Sequence, residues 1–325
     1  MRLYPFTFDP ILKERVWGDS RLKELYGKKV PAGVPIGESW EVSDRPGDVN
    51  IINNGALAGK DLHWLVEQHG QDLLGSAKPE NGRFPLLLKI LDAQQTLSLQ
   101  VHPPASVAAK LGSEPKTEMW YIADASPGAE LFVGLKRGVT REEFEQKIKT
   151  GTVADCFHRV RVRRGDAMFL PSGRVHAVGA GLVIFEIQQN SDTTYRVFDW
   201  NRVGLDGKPR TLHVRESLAS IDFEDFEPGL VSSSSEQRGN HRYKRLVDDP
   251  LFKVDVVVSE KKCSLAMKEP KLRIVAVVEG SACVRDGANS VELSNGQFCL
   301  VPASLETTQL WLEAFATVLL VETGD

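Results

Sequence analysis

The stretch LSLQVHPP, residues 97–104, alternates apolar and polar side chains with a period of two. On an extended chain this puts Leu97, Leu99 and Val101 on one face and Ser98, Gln100 and His102 on the other. Two readings fit: a half-exposed strand with its polar face in water, or a strand that offers an amide oxygen and an imidazole nitrogen side by side to a metal ion. Lys89 interrupts the apolar run PLLLKILDA. A buried ammonium is costly unless paired, so Lys89 either snorkels to water from an edge or faces a partner. In GLVIFEIQQNSDTTYRVFDWNR, Glu186 and Gln188 alternate with Phe185 and Ile187, and Arg196 follows the NSD turn. Alone, that run reads as an ordinary Glu–Arg pair on a half-exposed strand. The basic cluster NRVGLDGKPR offers Arg202, Lys208 and Arg210 to a phosphate, although loop cations are commonly just solvated.

Positioning such residues needs a core, and 325 residues with 42% hydrophobic and 26% charged content supply one large domain or two ordinary ones. A net charge of −4 gives no electrostatic reason for a nucleic-acid or anionic-membrane partner. The N-terminal segment breaks its apolar stretches with Asp9, Lys13, Glu14 and Arg15, unlike a signal peptide, and no window approaches the roughly 18 apolar residues of a membrane span. Cys156, Cys263, Cys283 and Cys299 are far apart and form no CxxC pair, so they read as reduced, mostly buried thiols in a cytoplasmic protein.

Short runs rich in β-branched and aromatic residues, such as RFPLLLKILDA, EMWYIADA, GLVIFEIQQ and LRIVAVVEGSACVRD, predict a mainly β, antiparallel fold with few helices. The clearest helix is VTREEFEQKIKTG: Thr140 and Glu143 have capping-box spacing, Val139 and Phe144 staple spacing, and Gly151 supplies the stop. DLHWLVEQHGQDLLG and PPASVAAKLG are the other two expected helices. The Ser- and Gly-rich segment around 224–240 predicts a linker, placed at 231–240 between a larger domain 1–230 and a smaller one 241–325.

A repeat links the two parts. GDAMFLPSGRVH, residues 165–176, overlays GQFCLVPASLET, residues 296–307, with Gly and Pro in register and His176 opposite Thr307. In the first copy Gly165 and Asp166 make a turn, 167–170 a buried strand, and Pro171 and Gly173 bend the chain to present His176. This frame resembles the second conserved motif of the cupin superfamily, with Ala180 where an asparagine is usual. The resemblance implies two cupin-type jelly-roll barrels, the second metal-free. It also implies further ligands from an earlier strand pair, which Gln100, His102 and Glu118 supply in cupin order. A glutamine oxygen, two imidazoles and a carboxylate suit Zn²⁺, with Mn²⁺ or Fe²⁺ as alternatives.

Together LSLQVHPP, KTEMWY, LPSGRVHAVGAG and FEIQQNSDTTYRVFDWNR, with the N-terminal LKERVWGDSRL and IGESWEVSD, resemble the short bacterial type I mannose-6-phosphate isomerases over residues 10–220. The resemblance implies one zinc ion on Gln100, His102, Glu118 and His176. It implies interconversion of mannose 6-phosphate and fructose 6-phosphate through a cis-enediol(ate). It sets Glu186, Arg196, Lys89 and Lys116 in the cavity, with Arg196 for the enediolate charge. The base stays open between Glu186, Lys89 and a zinc-bound water. Ser98 with nearby lysines is the first choice for the phosphate, and Lys208 and Arg210 stand beside it. The expected partner is thus a small sugar phosphate, with no nucleic acid or membrane, and the chain a monomer or homodimer. Trp17, Trp40 and Glu41 read mainly as packing. The rival readings are a metal cupin of another class, such as a dioxygenase, and a non-catalytic sugar-phosphate-binding relative.

Overall fold

The computed structural model describes residues 2–267, 269–287 and 289–324. The chain weaves between two facing sheets and then repeats the pattern. In the first unit, Leu86–Ala93, Leu182–Gln189, Glu118–Ala125 and Ala167–Leu170 lie side by side in one sheet, extended at one edge by Ile11–Asp19 and Ile36–Val42. The facing sheet has the order Tyr195–Phe198, Leu99–Val101, His176–Val178, Glu130–Leu135, Phe157–Arg161. In the second unit, Phe252–Ser259, Thr317–Thr323, Arg273–Glu279 and Phe298–Val301 repeat the first order, and Cys263–Met267, Thr308–Leu312, Ser281–Asp286 and Asn289–Ser294 repeat the second. This is jelly-roll topology twice over. The mainly β expectation holds, with each unit built from two open sheets rather than a closed barrel.

The duplicated sequence frame has a matching backbone. Gly165 and Gly296 both take left-handed turns, at φ +89° and +72°, before Ala167–Leu170 and Phe298–Val301 at corresponding sheet edges. Apolar residues fill the inside of both units, including Leu91, Ile122, Leu131 and Met168 in the first and Val275, Val277, Leu310 and Leu312 in the second. A further core joins the units, where Phe185 stacks on Phe298 with ring centroids 5.6 Å apart and Phe6 pairs with Leu300 through backbone hydrogen bonds. Within the expected linker, Glu236–Arg238 pairs with His241–Asp248 as an edge strand, and this polar tripeptide carries no strand pattern that a sequence reading would register.

The helices lie where capping chemistry places them. Thr140 accepts a hydrogen bond from the Glu143 amide at the start of Arg141–Thr150, and Gly151 ends the helix at φ +73°. Leu62–Leu74 is capped by Asp61, and Ala105–Leu111 follows Pro104. Two short helices, Arg21–Tyr26 and Val214–Ser220, have no predicted counterpart; helices of fewer than two turns are too short to show a period. Among the described residues no helix is long and apolar enough to cross a membrane, and all four cysteines are free.

Gly179, directly after His176–Val178, allows a close approach of two strands: its amide donates to the Glu130 carbonyl, and a Cβ there would lie 2.1 Å from that oxygen. Gly179→Ala must therefore displace the strand that carries His176. The expected cost is about 1–3 kcal/mol, the range for overpacking, read as a shift in the urea midpoint with the slope unchanged. A midpoint equal to that of the parent chain would show that the strand yields freely.

Candidate active site

Cross-strand pairing assembles one polar row on the five-stranded sheet. Gln100 stands opposite His176 on one side and opposite Arg196 on the other. His102 follows at the strand exit, where its carbonyl accepts the Gly173 amide at 2.8 Å, tying the glycine bend to this strand. Pro103 then leaves no amide to continue the ladder. Glu118 reaches across from the other sheet and is wholly buried, as are His102 and His176.

The three residues converge. Glu118 Oε2 lies 3.4 Å from His102 Nε2 and Oε1 lies 3.3 Å from His176 Nε2. The Gln100 amide is 3.2 Å from His176 Nε2, and turning it over presents its oxygen instead of its nitrogen. Each histidine has its Nδ1 beside a backbone carbonyl, His102 at 2.8 Å from Thr193 and His176 at 2.9 Å from Arg174. Those carbonyls can only accept, so they place the ring protons on Nδ1 and leave the Nε2 lone pairs facing Glu118. Burial lowers the pKa of both imidazoles, that of His176 to about 3. Burial pushes the Glu118 carboxyl up, but Lys116 and the two histidines outweigh it and hold the group well below the usual carboxylate range.

The result is two neutral imidazoles facing an ionised carboxylate. His102 Nε2 and both Glu118 oxygens are buried without any hydrogen bond, and the Lys116 ammonium, 2.7 Å from Oε2, makes an ion pair without hydrogen-bond alignment. Leaving buried polar atoms unsatisfied costs roughly 1–3 kcal/mol each. A divalent cation satisfies all three at once, and these residues are already in the protonation state it requires. The His102–Glu118–His176 group can therefore hold a metal ion.

A second row crosses the six-stranded sheet: Trp40, Lys89, Glu186 and Trp120 are successive cross-strand partners. Directly opposed residues share a face, so all four point into the same interior. Lys89 Nζ lies 3.4 Å from Glu186 Oε1 and 4.8 Å above the Trp40 ring, and Trp120 Nε1 donates to Glu186 Oε2 at 2.8 Å. Lys89 is thus buried and paired, which settles the choice its apolar setting left open. Burial and the nearby Glu118 raise the Glu186 pKa, against the pull of Lys116 and Lys89.

Gln100 and Arg196 of the first row and Lys89 and Glu186 of the second line a cavity of about 560 Å³, whereas His102, Glu118 and His176 are not among its lining residues. Gln100, Lys89, Lys116, Glu186, Ser98, Arg196 and Arg210 all line it. Lys208 does not; it sits exposed on the turn between Gly204 and Arg210. Trp17 and Glu38 also face the cavity, whereas Glu41 points to the other side of its strand into a buried pair with Lys28 at 2.6 Å. Arg15 and Glu38 were missed by sequence reasoning. Arg15 grips Glu38 with two hydrogen bonds, 2.8 and 3.1 Å, at the cavity wall. Burial would raise the Glu38 pKa, but Lys89 and Arg15 bring it down to about 2. The available signal was period two in ESWE, which sets Glu38 beside Trp40 and apart from Glu41.

A family model described as phosphomannose isomerase type I, catalytic domain, matches residues 6–137, which include Gln100, His102 and Glu118. The mannose-6-phosphate isomerase ManA of Bacillus subtilis is 36% identical over 307 residues, covering 94% of this chain and 95% of that protein. A mannose-6-phosphate isomerase of Streptococcus mutans is 32% identical over 306 residues, covering 94% of each chain. The crystal structure of mannose 6-phosphate isomerase from Bacillus subtilis superposes with a TM-score of 0.89 at 30% identity, covering 98% of this chain and 99% of that one.

Proposed function

The chain belongs to the type I phosphomannose isomerases, and on that premise we propose that it interconverts D-mannose 6-phosphate and D-fructose 6-phosphate through a cis-enediol(ate), with zinc held by Gln100, His102, Glu118 and His176. The observation that carries this reading is the buried convergence of His102, Glu118 and His176, whose ligand atoms lie within 4.8 Å of one another, beside a cavity lined by Glu186, Lys89 and Arg196. A zinc ion in that position supplies Lewis-acid polarisation of sugar oxygens.

The reaction moves a proton between C2 and C1 of the open-chain sugar, and the chain's own residues divide the work. Glu186 is our assignment for the proton-transfer group: its carboxyl is raised by burial and by Glu118, and Trp120 and Lys89 fix its orientation. Arg196 supplies a permanent cation for the oxyanion that develops as the proton leaves carbon. Lys116 stands against Glu118 and sets its charge. Ser98 and Arg210 take the phosphate, Arg210 at the loop side of the cavity and Ser98 on the segment that leads into Gln100. The first jelly roll, residues 1–230, is then the catalytic unit and 241–325 its metal-free companion.

A coupled assay for fructose 6-phosphate tests the activity. Protein dialysed against a chelator should be inactive on mannose 6-phosphate and recover on adding zinc. No product from the zinc-restored protein overturns the reading. Iron in the purified protein together with oxygen consumption would favour a dioxygenase, and ligand binding without turnover a non-catalytic relative.

A further inference from the structure

We infer that Asp199 is a positioning residue for the substrate's phosphate: it holds Arg210 and Arg202 in a guanidinium cluster at the cavity mouth and so sets the preference for phosphorylated over unphosphorylated sugar. This rests on the isomerase reading above and extends it to a residue that binds no substrate itself.

Asp199 directly follows the strand that bears Arg196 and is almost wholly buried. Its carboxylate takes Arg210 as a fork: Nε donates to Oδ2 at 2.7 Å and Nη2 donates to Oδ1. Arg202 Nε donates to the same Oδ1 at 3.0 Å. One carboxylate therefore orders two guanidinium groups beside a third, Arg196. Two guanidinium groups on one carboxylate leave net positive charge, which suits a phosphate anion. Burial and the neighbouring Arg210 lower the pKa of both Arg196 and Arg202, as expected for positive charge in excess of its counterions.

The loop is fastened where the anchor needs it. Arg202 Nη1 donates to the Thr96 carbonyl at 2.7 Å and Trp200 Nε1 to the Leu97 carbonyl at 2.8 Å, just before the strand that carries Gln100. At its far end, His213 and Arg196 exchange hydrogen bonds, the His213 amide to the Arg196 carbonyl at 2.8 Å and the Arg196 amide to His213 Nδ1 at 3.2 Å. Arg210 lines the cavity and Arg202 acts behind it. The one acid on this loop that also faces the cavity, Asp206, is exposed and accepts the Lys208 amide. Fork geometry matters here, since a guanidinium held by its Nε and one Nη leaves the other Nη free for a ligand.

The test is Asp199→Asn in the full chain, assayed with mannose 6-phosphate and with inorganic phosphate as competitive inhibitor. KM and the phosphate inhibition constant should both rise roughly tenfold to a hundredfold, as for losing hydrogen bonds between charged groups. Most of the loss in kcat/KM should lie in KM, with bound metal unchanged. Asp199→Glu should recover part of the phosphate affinity, and Arg210→Ala, on a part-exposed side chain, should reproduce the shift if the asparagine variant folds poorly. A phosphate inhibition constant within twofold of the parent in both variants overturns the inference. So does a loss confined to kcat, which would mean that Asp199 only braces Arg196. Calorimetric titration of inorganic phosphate separates the two readings: it tests Asp199 even if the parent chain fails to isomerise mannose 6-phosphate.

Discussion

Replacing His102 with alanine is expected to remove the bound metal and lower turnover by roughly a thousandfold. The metal's share of transition-state stabilisation is several kcal/mol, and each decade of rate is about 1.4 kcal/mol. The geometry gives His102 little redundancy. Its Nε2 and Glu118 Oε2 face each other at 3.4 Å, and the Thr193 carbonyl at Nδ1 fixes the tautomer that makes Nε2 a ligand. Without the imidazole, Glu118 keeps its Lys116 partner and the chain keeps its core, so the variant should fold. Metal content of the purified variant and the coupled assay read the two effects separately. Stoichiometric zinc retained by His102→Ala would remove His102 from the ligand set, whatever happened to the rate.

How much of such a site an amino-acid sequence shows depends on how local its signals are. Gln100 and His102 lie two apart on one strand, and the bend that delivers His176 is written in twelve residues, 165–176, so both were legible. The sheet pairing then places His176 directly opposite Gln100, which explains why motifs so far apart in sequence share one site. Within its own segment Lys89 was legible only as an anomaly, and it took the family resemblance to set it in the cavity. Its partner Glu186 lies on the neighbouring strand, and pairing register is a property of the sheet rather than of either segment. The same limit hid the Arg15–Glu38 pair and the role of Asp199, because a charge beside a distant partner looks like any solvated charge. The jelly-roll repeat survived in sequence as glycine and proline turns, since those positions need backbone conformations that few residues adopt.

Arg196→Ala should separate charge stabilisation from metal binding. Arg196 is the cross-strand neighbour of Gln100, yet none of the contacts found among the described residues joins its guanidinium to the ligand atoms. Nη1 donates to the Thr211 carbonyl at 2.8 Å, and the buried Nε has no partner. A permanent cation with a spare donor at the cavity wall suits an oxyanion that exists only during proton transfer. Removing one such group costs roughly a hundredfold to a thousandfold in kcat. Bound metal should stay at the parent level. Arg196→Lys should recover only part of the rate, because an ammonium restores the charge without the planar fork. This pattern is the reverse of the one expected for Asp199→Asn, where the loss falls on KM and on phosphate affinity. Near-normal turnover in Arg196→Ala would refute its part in the chemistry, and loss of metal with it would make Arg196 a support for Gln100. If Arg196 loses kcat while Asp199 loses KM, the two ends of a four-residue segment divide catalysis from anchoring, and the cavity has a defined direction for the sugar.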